Sequence, residues 1–112
     1  MTWRFGPSFA VFVSALLLLT SSAALADDAI VKLRQSELEN LFEQDCGSCH
    51  GLTRKGGLGS PLLPEALADK SDEVLVEIIL DGLPGTAMPP WRPFLTVAEA
   101  SYIVGLMRKP KP

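Results

Sequence analysis

One histidine and two cysteines are all this 112-residue chain holds of the side chains that most often bind transition metals. With a single His, bis-histidine ligation within the chain is excluded. Both Cys fall in one five-residue stretch, so a disulfide framework of the kind that staples small exported domains is not available. Basic residues are scarce as well. Ten Lys and Arg stand against thirteen Asp and Glu, a net charge of −3. Nucleic-acid binding calls for a basic patch, and none is present, so no nucleic-acid partner is expected. There is no convincing alternating strand pattern, no internal repeat and no long disordered linker.

The N-terminus carries Arg4, an apolar run from Phe9 to Leu19, a polar break at Thr20-Ser21-Ser22, and Ala24-Leu25-Ala26. These have the order of a cleavable export signal. The expected cut lies between Ala26 and Asp27, giving a signal peptide of residues 1–26 and one domain over 27–112. The apolar run is short of the about 20 residues a spanning helix needs, so no stable membrane anchor is expected. Removing the signal leaves 86 residues with nine basic and thirteen acidic side chains. A domain this small buries a modest core, which a large apolar cofactor would help to fill.

Four helical stretches can be read. The first spans Leu33 to Asp45, with Leu38, Leu41 and Phe42 at helical spacing and Ser36/Glu39 spaced as a capping box. Gly51 to Ser60 holds four glycines and reads as a loop able to approach something closely. Pro64 to Leu67 suits a short helix with Pro in its first turn. Ser71 caps a third helix whose apolar stripe is Val74, Leu75, Ile78 and Ile79, and Gly82 ends it. Leu83 to Phe94 holds four prolines and cannot be regular helix. Thr96 and Glu99 form a second capping box, opening a helix with Val97, Ala100, Ile103, Leu106 and Met107 inward.

Cys46-Gly47-Ser48-Cys49-His50 is a C-x-x-C-H segment, the haem-attachment signal. Two Cys three positions apart at a helix end can reach two vinyl groups on one porphyrin edge, and the adjacent His can place a ring nitrogen on the iron. The competing readings are weaker. A disulfide would close a very short loop. A thioredoxin-like pair needs a βαβ context. Zinc needs a fourth ligand, and no further Cys or His exists. The expected cofactor is therefore one covalently bound haem c.

With no second His, the other iron ligand must be sought among the methionines. Met107 sits at core spacing on the last helix. Met88 lies in the stiff segment Gly85-Thr86-Ala87-Met88-Pro89-Pro90-Trp91 and is the favoured ligand. The alternative is an open or water-bound sixth position, which would suit ligand binding or redox catalysis. The Pro61 carbonyl is expected to accept the other N–H of His50. Leu63, Ile78 and Ile79 are candidates for packing on the ring, Trp91 for a propionate contact through its indole N–H, and Arg92 for a propionate pair. The exposed haem edge is expected near Gly47, Ser48, Arg54, Lys55 and Pro90, with Arg54 and Lys55 steering a partner.

Together with Ser60-Pro61-Leu62-Leu63 and Met88-Pro89-Pro90, the motif makes the chain resemble the class I cytochromes c over essentially residues 33–108. The resemblance implies an all-α fold of about four short helices around the haem. It implies thioethers at Cys46 and Cys49, iron ligation by His50 and Met88, and a hydrogen bond from His50 to Pro61. That family usually has Gly before this Pro, where this chain has Ser60. It also packs its first and last helices through residues that Phe42, Tyr102 and Gly105 match. More narrowly, Gly57 to Leu67 and Asp81 to Pro89 resemble the small NirC-type cytochromes of denitrifying bacteria. That implies a periplasmic single-electron carrier, not an enzyme. Its expected partner is cytochrome cd1 nitrite reductase or a haem d1 maturation enzyme.

Overall fold

In a computed structural model of the chain, residues 31–111 are described. The expected signal peptide and its cut lie outside them. Helices are the only regular structure among the described residues. None of them is long and apolar enough to cross a membrane. Residues Ser36–Pro112 form a compact unit that holds both cysteines, the histidine and the hydrophobic core.

Helix α1 covers residues 31–41 and runs without a break into a π-helical turn, Phe42–Cys46, and a last α-turn, α2, Gly47–His50. The sequence pattern suggests a helix from Leu33 ending at Asp45. The observed helical run goes on through both cysteines to His50, and Ser36 lies inside it rather than capping it. Capping-box spacing occurs by chance in helix interiors, and no Gly or Pro between residues 31 and 41 forces a start there. The π turn fits one more residue into the winding than an α-turn does. It re-aims everything after it by about 100°, so the register of Cys46, Cys49 and His50 departs from that of Leu38.

After Gly51 comes a loop, then a 3₁₀ turn, Pro64–Leu67, helix α3, Asp72–Asp81, and helix α4, Val97–Arg108. Both long helices start where their capping residues predict. Ser71 accepts from Val74 N–H, with Asp72 and Glu73 in the first turn. Thr96 and Glu99 bond reciprocally, at 3.2 and 2.8 Å, which satisfies two otherwise unpartnered N–H groups.

Helices α3 and α4 pack on one another. The core joins Leu38 and Phe42 to Leu62 and Leu67, Leu75, Val76, Ile79 and Leu80 of α3, Leu95, and Ala100, Ile103, Val104 and Met107 of α4. Met107 is a core residue, as its spacing predicts. The α3 stripe is turned from expectation: Val76 and Leu80 go inward, while Val74 is exposed and Ile78 half-buried. Apolar residues occupy positions 74–76 and 78–80 alike, so periodicity alone cannot choose. Arg108 fastens the end of α4 to the start of α3, donating to Asp72 and to the carbonyls of Leu67 and Lys70. Tyr102 donates to Glu39 at 2.7 Å, tying α4 to α1. Gly105 is not a close-crossing residue: it is exposed, and a Cβ there would meet nothing within 4 Å.

Candidate haem site

His50 ends a helix, and a helix end leaves carbonyls without partners. Here the glycine loop folds back to supply them. Gly59 N–H donates to the Cys49 carbonyl at 2.8 Å, and Gly56 N–H to the His50 carbonyl at 2.9 Å. Two glycines make this approach possible. A Cβ on Gly57 would lie 2.7 Å from the Cys49 oxygen, and one on Gly59 would lie 2.6 Å from two atoms of the His50 ring. The imidazole thus lies against a backbone that has no side chain to clear. The run of glycines marks this loop as able to approach closely, without saying that its target is the histidine.

The same fold-back brings the Ser60 carbonyl to 2.6 Å from His50 Nδ1. A carbonyl can only accept, so Nδ1 carries the proton and Nε2 keeps the lone pair. This corrects the expected acceptor, Pro61, whose side chain is exposed. The reason is the turn. Gly57 N–H donates to the Gly59 carbonyl, which tightens the chain just ahead of Ser60. The family's glycine sits directly before the proline. Here the glycine under the ring is one residue earlier, and the accepting carbonyl is one residue earlier with it.

Cys46 is half-buried and Cys49 exposed, and neither is in a disulfide. Burial, with the Asp45 charge adding to it, pushes the Cys46 thiol up to about 11. That is opposite to the depressed value a redox-active thiol pair requires. Among the described residues no three Cys, His, Asp or Glu side chains converge on a point where a metal ion could sit, which counts against the zinc reading.

Met88 is half-buried in the segment after α3. Its carbonyl accepts from Leu83 N–H at 3.2 Å, and its N–H donates to Thr86 Oγ1 at 3.2 Å. Trp91 and Arg92 N–H groups then donate to the Ile79 and Leu80 carbonyls of α3. Gly82, at φ 69°, ends α3 with room for this return: a Cβ would sit 2.7 Å from the Met88 oxygen. Trp91 is half-buried, packed on the core and edge-on to Phe94. Leu63 is half-buried at the start of the 3₁₀ turn. Arg92 Nε donates to Asp81 Oδ1 at 2.7 Å. The Arg54 guanidinium donates to the Leu106 and Lys109 carbonyls.

These residues suit a haem. The only two Cys and the only His close one helix end, Nε2 keeps its lone pair, and apolar Val74 and Leu83 stay 45% and 44% exposed on the segments leading to Met88. A helical domain built on such a helix end is a c-type cytochrome. The family described as cytochrome c oxidase, cbb3-type, subunit III matches residues 34–107. A cytochrome c55X of Paracoccus denitrificans (strain Pd 1222) is 48% identical over 97 residues, covering 87% of this chain and 93% of that protein. The solved c-type cytochrome NirC is 49% identical, with a TM-score of 0.65 over 67% of this chain and 88% of that one. The dihydro-heme d1 dehydrogenase of Pseudomonas aeruginosa PAO1 is 34% identical over 84 residues, 75% of this chain but 17% of that protein. The chain accordingly belongs to the c-type cytochromes, in the family that includes cytochrome c55X. It carries haem c and is an electron-transfer protein, not an enzyme.

Proposed function

We propose that Cys46 and Cys49 would carry the haem thioethers, that His50 Nε2 and Met88 Sδ would hold its iron, and that the protein shuttles single electrons in the periplasm for haem d1 chemistry. The observation that carries the ligand reading is the 2.6 Å contact between His50 Nδ1 and the Ser60 carbonyl. It fixes the tautomer and ring orientation and makes Nε2 the more basic donor. The haem iron supplies the redox chemistry by moving between its ferric and ferrous states. The residues of this chain hold its surroundings constant through that change. Gly59 and Ser60 keep the imidazole in place. Gly82, Pro89 and Pro90, with the bonds of Trp91 and Arg92 to α3, keep the Met88 backbone in place. With His50 and Met88 both on the iron there would be no place for substrate, and a thioether ligand would raise the potential. Leu63 and Trp91 belong to the haem surroundings.

Export rests on residues 1–26, whose pattern is that of a cleaved signal peptide. The partner reading rests on likeness to cytochrome c55X and NirC, and on the dehydrogenase in which a similar stretch forms a small part of a larger protein. The electron partner is thus a haem d1 maturation enzyme or cytochrome cd1 nitrite reductase. Stopped-flow mixing of the purified ferric cytochrome with each reduced enzyme separates them. We expect fast, saturable reduction by one of the two. No transfer with either would remove the partner reading, and rapid carbon monoxide binding by the untouched ferrous protein would remove the filled sixth position.

A further inference from the structure

Arg54 has a left-handed backbone, φ 60°, and it is the only non-glycine with positive φ among the described residues. Glycines are used freely in this same loop, so the conformation alone would favour glycine at this position. The side chain gives the reason for arginine. Its Nη1 donates to the Leu106 carbonyl at 2.9 Å and to the Lys109 carbonyl at 3.2 Å, oxygens at the C-terminal end of α4 and just beyond it. Its guanidinium lies over the Phe42 ring, 5.6 Å from the centroid, where the π turn begins. Its backbone closes the loop on itself: the N–H donates to the Gly51 carbonyl and the carbonyl accepts from Leu62 N–H, both at 2.9 Å. Between those two anchors lie Gly59 and Ser60. A second strap crosses nearby, from Lys111 Nζ to the Leu52 carbonyl.

We propose that Arg54 is a positioning residue for the histidine ligand: by fastening both ends of the 51–62 loop to α4 and Phe42, it holds the Ser60 carbonyl on His50 Nδ1 and so helps to set the reduction potential. Arg54 acts on His50 through the loop. The proposal rests on His50 being an iron ligand. A strong bond at Nδ1 makes the imidazole a better donor, which favours ferric iron. Loosening the loop weakens that bond and favours ferrous iron.

The test uses the holoprotein and its Arg54→Ala, Arg54→Lys and Lys55→Ala variants. Each is read by potentiometric titration and by NMR exchange of the His50 Nδ1 proton. We expect Arg54→Ala to raise the potential, lowering the ferric/ferrous ratio by about threefold to tenfold, tenfold being 59 mV for one electron. We also expect it to speed Nδ1 proton exchange and leave the far-red ferric thioether band in place. Lysine cannot reproduce the stacked, two-carbonyl contact, so Arg54→Lys should shift both readings in the same direction by less. Lys55→Ala should shift neither. A lowered melting temperature with potential and exchange unchanged would make Arg54 merely structural and overturn the proposal. If Arg54→Ala does not fold, unchanged readings in Arg54→Lys overturn it equally. An iron-shifted His50 ring in the unaltered ferric protein verifies the ligand on which this depends, so loss of that reading would be recognised separately.

Discussion

His50 stands at the end of a helix and is held by a glycine loop that folds back over it, whereas Met88 stands in a proline-rich segment hung from the end of α3 by backbone hydrogen bonds. On the first side a close approach does the holding: Gly59 beneath the ring and a carbonyl on Nδ1. On the second side stiffness does it: prolines at 89 and 90 and bonds into the Ile79 and Leu80 carbonyls. The first arrangement controls a ring's orientation and basicity. The second controls only where a flexible thioether starts from. Substitutions should therefore separate into those that alter the histidine and those that alter the methionine.

The largest effect should come from Met88→Ala. We expect the far-red ferric band to vanish, carbon monoxide to bind the ferrous protein, and the potential to fall by on the order of 100 mV, within the roughly 0.8 V over which axial ligands act. Spectra and a redox titration check this. Gly59→Ala and Gly82→Ala form a matched pair. The first pushes a Cβ into the imidazole, at a cost of about 1–3 kcal/mol. The second forces alanine to φ 69°, ψ −171°, a region kept for glycine, and drives its Cβ to 2.7 Å from the Met88 oxygen, at a cost of about 1–3 kcal/mol for the backbone alone. Thermal melts should show both losses. The far-red band should weaken in the Gly82 variant and persist in the Gly59 variant, and the reverse pattern would break the comparison.

A smaller effect concerns acid. The hydrogen bond from Arg92 holds the Asp81 carboxyl below its ordinary value. Asp81 is therefore easier to ionise in the folded chain than in the unfolded one. Its contribution is present above the usual carboxylate pKa of about 4 and is lost as pH falls through the lower folded value. The far-red band should weaken over that range, and less so in Asp81→Asn, as a spectroscopic pH titration will read. The smallest effect is expected at Lys55, an exposed charge on the expected docking edge. Lys55→Glu should alter partner association by a modest factor at low salt and by almost nothing at high salt.

The haem motif, the all-helical class and the starts of α3 and α4 are legible in the sequence, because each depends on residues adjacent in the chain. What cannot be read there depends on contacts across it. The acceptor for His50 is Ser60 rather than Pro61 because a hydrogen bond between Gly57 and Gly59 tightens the turn. The bonds of Arg54 to the end of α4 and of Arg92 to Asp81 join residues distant in the chain, so neither is legible before the fold is known. The Val74 and Ile78 face of α3 reads as core because both faces are apolar. A helix that serves a protein core on one side and a haem on the other would have that pattern.

The pairing of His50 with Met88 is tested most directly by iron X-ray absorption on the purified ferric and ferrous holoprotein. We expect one sulfur at bonding distance among nitrogen neighbours in both oxidation states. A first shell of nitrogen and oxygen alone, or a five-coordinate iron in either state, would contradict it.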